Sequence, residues 1–224
     1  MIKLEHDEVV GWEHAIRGMR NPMNSWDKSD SGFYKLKLTD GFGFEVGKND
    51  LDLMLRLRNA GTDHGKFMRM IVVYVDITAP LYWWKEFDTY KVGTVANSCS
   101  TMHKIHVKEF TWDDFSHEHL IPYSECYNRK LVFEAPKEVM ARVIETLNYF
   151  RAMYIKTNDK VYWWQMIQLL PSSYNQKRTV MLNYEVLANI YKSRKNHKLD
   201  EWHVFCDWIE SLPYSEIITG KDGI

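Results

Sequence analysis

The sequence has little cysteine. Cys99, Cys126 and Cys206 are the only three copies in 224 residues, and they lie far apart. A disulfide framework or a zinc ribbon needs paired, closely spaced cysteines, so neither is expected and a reducing compartment is the simplest location. No apolar run approaches the ~20 residues of a membrane span, and residues 1–14 lack the apolar core of a signal peptide. We therefore expect a soluble, cytoplasmic protein with no membrane partner.

Charge of one sign is not in excess either. The chain carries 29 Lys and Arg against 30 Asp and Glu, for a net charge of −1. Proteins that grip nucleic acid through its phosphates generally need a positive surface, so nucleic acid is not an expected partner.

Several motifs that mark common catalytic scaffolds are missing. The sequence contains no GxGxxG, Walker, GxSxG or HExxH pattern. Histidines cluster at His103 and His106 and in His117-Glu118-His119, but no cysteine or acidic partner is placed by spacing to complete a metal site. We interpret them as exposed histidines, predict no metal, and identify no catalytic side chain.

Aromatic residues, by contrast, are abundant. The chain has nine Trp, thirteen Tyr and ten Phe, while its apolar fraction of 45% and charged fraction of 26% are those of a globular protein. This is more aromatic surface than a minimal core needs. Some of these rings are expected to line pockets or subunit interfaces.

The periodicity of the first half predicts alternating strands and helices. A short strand within residues 1–14 should end in a turn at Gly11. Asn49 or Asp50 is expected to cap a helix that ends at Gly61. The β-branched run at 67–78 predicts a buried strand that stops at Pro80, followed by a helix to about residue 90 and a polar segment over 92–101.

The second half is predicted to be mainly helical. Pro136 suits the first turn of a helix whose apolar stripe runs from Met140 to Tyr154. Further helices are predicted over 179–194 and 199–212. The fold class is therefore α+β: a single domain over 1–224, with a small, mostly antiparallel sheet packed with several helices. The charged stretch 104–130 is predicted to be a partly helical insertion.

Two polar segments allow two interpretations each. Residues 17–32 form either an exposed connection or a loop in which Arg17 and Arg20 hold an anion such as phosphate. Cys99, in the run Ala96-Asn97-Ser98-Cys99-Ser100-Thr101, is either a nucleophile beside a histidine such as His103 or a small, semi-buried thiol.

Two blocks of sequence resemble the flavin-dependent thymidylate synthase family. The first, residues 67–102, has a strand, then Ala79-Pro80, a tryptophan-bearing helix, a six-residue motif and a polar turn, in the order of that family; Gly61-Thr62-Asp63-His64 upstream is similar to its Gly-His segment. The second, residues 170–209, offers Leu170-Pro171, then Asn183 through Leu187, Ser193-Arg194 and Glu201-Trp202. Together the blocks span about a third of the chain.

The chain departs from the family pattern at charged positions. The family's Arg-His-Arg-x-x-Ser falls on Thr89-Tyr90-Lys91-Val92-Gly93-Thr94, and a nucleotide-contacting arginine falls on Glu185. Because an anionic nucleotide needs cationic or N–H partners once desolvated, these changes weaken the expected nucleotide site. Lys91 and Arg178, among other cations, remain available.

The resemblance implies that FAD is the cofactor, and that a pyrimidine nucleotide such as dUMP is reductively methylated with methylenetetrahydrofolate and NADPH as possible co-substrates. It also implies a homotetramer. The residues expected at the cofactor are His64, Tyr90, Lys91, Thr94, Asn97, Asn183 and Arg194. The residues expected at the substrate are Arg20, Glu86, Ser98, Cys99, Ser100 and Glu185.

Three functions remain open on the sequence. The first is a flavoenzyme, a thymidylate synthase-like methyltransferase, which the polar character of residues 94–101 favours. The second is a catalytically inactive nucleotide-binding protein of the same fold, which Glu185 and the altered motif favour. The third is a structural or interaction protein whose exposed aromatics serve assembly.

Overall fold

The computed structural model describes residues 2–36, 41–131 and 134–220. Its strands are β1 (Lys3–Val10), β2 (Gly32–Lys35), β3 (Phe42–Glu45), β4 (Val72–Pro80), β5 (Val95–Ser98) and β6 (Asn175–Asn183). Its helices are α1 (Trp12–Arg20), α2 (Lys48–Asn59), α3 (Leu81–Phe87), α4 (Tyr123–Asn128), α5 (Pro136–Thr157), α6 (Lys160–Leu169), α7 (Tyr184–Arg194), α8 (Asp200–Ser211) and α9 (Glu216–Thr219).

One four-stranded sheet has the order β1-β4-β6-β5, and β2 and β3 form a separate antiparallel hairpin in which Phe33 lies opposite Phe44. The predicted α+β class, a small sheet packed with several helices, is confirmed. None of the helices described is long and apolar enough to cross a membrane.

The chain folds into two compact units built from interleaved stretches. Within the described ranges, the first unit contains residues 2–3, Ile77–Thr89 and Asn97–Arg178, and the second contains residues 4–76, Tyr90–Ala96 and 179–220. One domain over 1–224 with an insertion at 104–130 stays a prediction.

The first unit has an apolar core between α5, α6 and the segment before α4. Leu147 and Met166 are fully buried there, and Phe115 pairs with Tyr174 through an isolated antiparallel bridge. Pro136 opens α5, as predicted, because its missing N–H is not needed in the first turn. The predicted stripe also holds, since Met140 and Leu147 are buried while Val143, Phe150 and Tyr154 pack on the same core.

The second unit packs α7 and α8 around buried aromatic rings. Tyr184 is fully buried and meets Trp12 edge to face at 5.3 Å between ring centroids. Gly11 has the positive φ of 96° that a turn between β1 and α1 requires, and a Cβ there would collide with the carbonyl of Met70. The predicted turn at Gly11 is therefore confirmed.

The helix predicted over 179–194 begins too early, because residues 175–183 form strand β6. Val180 and Leu182 are both fully buried, two residues apart, which is the period of a strand. The helix begins after Asn183, whose side chain accepts a hydrogen bond from the backbone N–H of Val186 at 3.0 Å. The apolar positions fit both the period of a strand and that of a helix, so the Asn183 cap decides where β6 ends and α7 begins.

Three further boundaries differ from prediction. Residues 65–70 form a 3-10 turn, so the strand predicted over 67–78 begins at Val72. The N-cap of α2 is Gly47, not Asn49 or Asp50, since the Asp30 carboxylate already accepts from the backbone N–H groups of both residues. The polar segment 92–101 contains a strand, β5, which the sequence did not predict.

Candidate functional site

The predicted site residues divide between the two units. The second unit holds His64, Tyr90, Lys91, Thr94, Asn183, Arg194, Arg20 and Glu185, and the first holds Glu86, Asn97, Ser98, Cys99 and Ser100. Six of the seven residues predicted at the cofactor thus fall in one unit. Most of those predicted at the substrate fall in the other.

In the second unit, Arg194 is held by aromatic side chains. Its Nε donates to the Tyr90 hydroxyl at 2.9 Å, and its guanidinium lies 4.8 Å from the ring centroid of Trp202 and 5.6 Å from that of Tyr90. Cation–π contacts of this kind favour a guanidinium at a fixed place beside a ring. The structure therefore brings together two predicted cofactor residues that are 104 positions apart in sequence.

The turn from Lys91 to Thr94 lies against the start of α7. The Thr94 N–H donates to the Lys91 carbonyl at 3.3 Å, and Gly93 has a φ of 79°. A Cβ at Gly93 would lie 3.0 Å from the Asn183 amide nitrogen, so only glycine suits this close approach. The turn therefore places Lys91 and Thr94 near the capping Asn183.

Thr94 also carries a polar atom that the described part of the chain does not satisfy. Its Oγ1 is buried and has no hydrogen-bond partner there. Buried hydroxyls are nearly always bonded, so an unpaired one calls for an explanation such as a bound group. A planar cofactor with many oxygen atoms would fit this group of side chains: the buried hydroxyl of Thr94, the exposed Lys91, and Arg194, which is held by aromatic rings.

Glu185 is already engaged by a cation. Arg69 Nε donates to its carboxylate at 2.7 Å. Glu185 also lines a cavity of about 280 Å³, together with Arg58 of α2, Lys192 of α7 and Lys195 just after α7. The reversed charge at 185 is thus balanced within the unit.

The remaining predictions in this unit are placed as follows. Arg20 is buried and bonded to Asp50, which gives its guanidinium a structural role. His64 is exposed at the start of the 3-10 turn that begins at Gly65. Neither geometry tests binding, so the roles of Arg20 at the substrate and His64 at the cofactor stay predictions.

In the first unit, the Cys99 segment is tied to β6. The Gln176 side chain donates to the Cys99 carbonyl at 2.7 Å, and the Cys99 N–H donates to the Lys177 carbonyl at 2.9 Å. Ser100 Oγ accepts from the His103 N–H at 2.9 Å. The Cys99 thiol is exposed, so its interpretation as a semi-buried thiol is wrong, while its role as a nucleophile stays a prediction.

Cys99 and Ser100 line a polar cavity of about 450 Å³ that lies wholly within this unit. Lysines, aspartates, hydroxyls and amides form its walls: Lys3, Thr78, Thr101, Lys108, Thr111, Asp113, Asp114, Tyr174, Asn175, Gln176 and Lys177. Lys108 pairs with Asp114, and the Asn175 amide donates to the Asp113 carbonyl at 3.2 Å. Burial, then the nearby charge of Asp114, raises the pKa of Tyr174, which keeps its phenol protonated.

Asn175 is a residue that the sequence analysis missed. Its Oδ1 is buried and lacks a hydrogen-bond partner within the described residues. Such an oxygen could accept from the N–H of a bound heterocycle. Because Asn175 lies at the start of a strand that was not predicted there, no signal in the sequence singled it out.

Arg178 and the remaining predicted residues of this unit, Glu86, Asn97 and Ser98, lie outside the lining of this polar cavity. Arg178 pairs with Asp88 at 2.8 Å, and its guanidinium lies 4.1 Å from the ring centroid of Trp84. The Glu86 carbonyl accepts from Thr89, while Asn97 and Ser98 are exposed on β5. No group of three metal-ligating side chains occurs among residues 2–36, 41–131 and 134–220.

Comparison with known proteins gives a result in structure but not in sequence. No family model and no curated protein matches the chain. Among solved structures, Thymidylate Synthase X (ThyX) from Helicobacter pylori with FAD and dUMP is similar, with a TM-score of 0.67, 16% identity and 98% of each chain covered. A flavin-dependent thymidylate synthase ThyX from Helicobacter pylori complexed with FAD and dUMP gives a TM-score of 0.65 at 18% identity, again over 98% of each chain.

A third similar structure is a UMP/dUMP methylase, PolB, from Streptomyces cacaoi bound with 5-Br dUMP. Its TM-score is 0.61 at 12% identity, with 98% of this chain and 94% of that chain covered. At such identities the likeness establishes the fold, and function has to be argued from the site. This chain has the fold of the flavin-dependent thymidylate synthases.

Proposed function

We propose that the chain is an FAD-dependent, thymidylate synthase-like enzyme that reductively methylates a pyrimidine nucleotide such as dUMP. The shared fold supports this proposal, because two of the similar structures hold FAD and dUMP and the third is a UMP/dUMP methylase. The observation that carries it is the Tyr90–Arg194 contact beside the turn with the Thr94 hydroxyl, which has no hydrogen-bond partner among the described residues. These residues suit a flavin cofactor better than a purely structural cluster.

In this proposal the flavin is held by Tyr90, Lys91, Thr94, Asn183 and Arg194. Lys91 and Arg194 supply positive charge to its phosphates, while Thr94 Oγ1 gains the partner that it lacks within the described residues. Bound FAD supplies the hydride chemistry, so the protein need only bind and orient the reactants. His64 and Asn97 complete the proposed cofactor set.

The nucleotide is assigned to Glu86, Ser98, Cys99 and Ser100, with Arg20 and Glu185 as further candidates. The lysine-containing cavity that Cys99 and Ser100 line supports this assignment. Its lysines suit the phosphate of a nucleotide, and its side-chain amides suit the polar edge of a pyrimidine. The Arg69–Glu185 pair supports a changed mode of nucleotide binding at position 185. NADPH as reductant and methylenetetrahydrofolate as carbon donor belong to the same proposal.

The proposal extends to assembly and location. A cytoplasmic homotetramer would cover some of the large apolar side chains that the chain exposes, among them Tyr127 and Tyr149. Size-exclusion chromatography with light scattering measures the assembly state directly.

The test is turnover. Purified protein is incubated with FAD, NADPH, methylenetetrahydrofolate and dUMP, and the methylated nucleotide is measured by mass spectrometry. The expected result is product from the wild type, little from Arg194→Ala, and normal product from Lys198→Ala, an exposed residue just after the same helix. Absence of product from wild-type protein that has bound both FAD and dUMP would contradict the enzymatic proposal.

A second candidate is a catalytically inactive nucleotide-binding protein. Only Lys91 and Thr94 are chemically similar to the residues of the family's motif, and Glu185 stands where the family has a cation. Both departures favour this candidate. The two candidates differ in whether the protein retains FAD. The inactive protein is expected to retain no FAD but to gain thermal stability from dUMP, because a ligand that binds the native state raises its stability by mass action.

A further inference from the structure

A further, open cavity lies within the second unit, and none of the residues proposed for flavin lines it. It has a volume of about 490 Å³ and lies between α1, the loop before β2, and the β2–β3 hairpin. Trp26, Phe33, Phe44 and Ile16 form its apolar walls. Small-molecule sites typically have this size and this kind of lining.

The aromatic walls are open to solvent. Trp26 is 49% exposed and Phe33 is 65% exposed, although Phe33 meets Phe44 edge to face at 5.0 Å. The Trp26 indole is oriented by its Nε1, which donates to Asn21 Oδ1 at 2.9 Å. Exposed, oriented rings are the side chains on which planar bases stack.

One buried carboxylate fixes the loop that carries these walls. Asp50 is fully buried and accepts from Arg20 at 2.6 Å and from the hydroxyls of Ser29 and Ser31 at 2.7 Å each. Arg20 in turn donates to the carbonyl of Lys28. The loop is therefore organised before any ligand arrives, which reduces the entropic cost of binding.

The polar edge of the cavity offers both a donor and an acceptor. Glu13 and Arg17 lie four residues apart on α1 and line the same space. A carboxylate accepts from adjacent N–H groups, and a guanidinium donates to adjacent acceptors. Guanine presents this combination, with N1–H and N2–H₂ as donors beside the acceptors O6 and N7.

We propose that this cavity binds a guanine-type purine, stacked on the exposed rings, with Glu13 accepting from its N1–H and N2–H₂ edge and Arg17 donating to its acceptors. These side chains suit the recognition of a base, because the rings can stack on its face while Glu13 and Arg17 form hydrogen bonds with its polar edge. The inference does not depend on the flavin proposal, since none of the residues proposed for flavin lines this cavity, and Arg20, a nucleotide candidate, serves here only to hold the loop.

Isothermal titration calorimetry of the full chain with neutral nucleosides tests the inference. Guanosine, inosine and adenosine lack a phosphate, so they avoid the lysines proposed for nucleotide binding. We expect guanosine to bind about tenfold more tightly than inosine, which lacks the amino group, and adenosine to bind more weakly still. Equal affinity for guanosine and adenosine, or no binding of guanosine, would overturn it.

Variants place the binding. Glu13→Gln should weaken guanosine about tenfold and remove the preference over inosine, while Glu109→Gln, an exposed glutamate of the first unit, should change nothing. Phe33→Ala should weaken all three nucleosides. Circular dichroism confirms that the variants are folded, and guanosine binding that is unchanged in Glu13→Gln would contradict the assignment even if wild-type binding is seen.

Discussion

Two arginines of the second unit have opposite surroundings. Arg20 is buried, with a side chain that is 5% exposed, and it bonds to a carboxylate and to two loop carbonyls. Arg194 is partly exposed, and it contacts the hydroxyl of Tyr90 and the rings of Tyr90 and Trp202, close to a turn whose buried Thr94 hydroxyl has no partner in the described part of the chain. The first arrangement holds a loop in place, while the second leaves a polar atom for a ligand to satisfy. Two arginines that the sequence does not distinguish therefore have different roles: Arg20 stabilises the fold, and Arg194 is available to a ligand.

The largest effect is expected at the centre of the Arg20 cluster. Asp50→Asn leaves a buried guanidinium without its counter-charge, and should lower the free energy of unfolding by about 3–5 kcal/mol. Urea denaturation measures the loss. The matched control is Asp52→Asn, because Asp52 pairs with Arg56 on an exposed helix surface where an ion pair contributes less than about 1 kcal/mol. Equal effects of the two substitutions would show that the Arg20 cluster is not structural.

The same carboxylate predicts an acid-sensitive fold. Burial raises the pKa of Asp50, but hydrogen bonds from Ser31, Ser29 and Arg20, with the charge of Arg20, bring the pKa below its usual value. A lowered pKa in the folded state contributes stability above the unfolded pKa of about 4, and this stability is lost as the pH falls through the folded pKa. Unfolding measured from pH 6 downward should show this loss in the wild type and a smaller one in Asp50→Asn.

A smaller effect is expected at the turn before β5. Gly93→Ala places a side chain at a φ of 79° and against Asn183, which should cost about 1–2 kcal/mol and weaken FAD binding together with stability. Gly32→Ala is the control for thermal unfolding, since no atom of residues 2–36, 41–131 and 134–220 lies within 4 Å of a Cβ at that position. A Gly93→Ala variant as stable as wild type would show that the close approach at Asn183 is not required.

At the Arg194 cluster we expect binding to change more than stability. Tyr90→Phe removes the hydroxyl that accepts from Arg194 and keeps the ring, so FAD affinity should fall about tenfold while unfolding changes by about 1 kcal/mol or less. Fluorescence titration of FAD measures the affinity. The exposed Tyr149→Phe is the control, and a Tyr90→Phe variant that loses stability without losing affinity would make this cluster structural as well.

The smallest effect is predicted for Lys91→Ala. Lys91 is exposed, so its removal should leave the fold intact and reduce FAD or nucleotide retention several-fold at low salt, where surface charges act most strongly. Lys198→Ala, at another exposed lysine, serves as the control in the same retention assay. If Lys91→Ala binds as well as wild type, the correspondence with the family's motif is wrong.

Local signals predicted the fold where one residue type decides the structure. Pro136 marks the start of α5 and Gly11 marks the turn after β1, because each has a backbone preference that few residues share. Val180 and Leu182 suit either a strand or a helix, so only the Asn183 cap separates β6 from α7. Boundaries of that kind depend on packing that a single sequence does not contain.

The candidate site was predictable only in part. Resemblance indicated Tyr90 and Arg194, and the structure brings them into contact. The role of Trp202 as a ring beneath Arg194 was not predicted, since its position on an apolar helix face indicates only burial. Arg20 could not be separated from Arg17 by sequence, because the partner that buries it, Asp50, is 30 residues away.

The most direct test of the central claim is the visible absorption spectrum of the purified protein after incubation with FAD and desalting. If Arg194 holds the cofactor, we expect a retained flavin band in the wild type and a much weaker band in Arg194→Ala, with both proteins folded. A wild-type protein that retains no flavin, or an Arg194→Ala variant that retains as much as wild type, would contradict the assignment of this cluster to the cofactor.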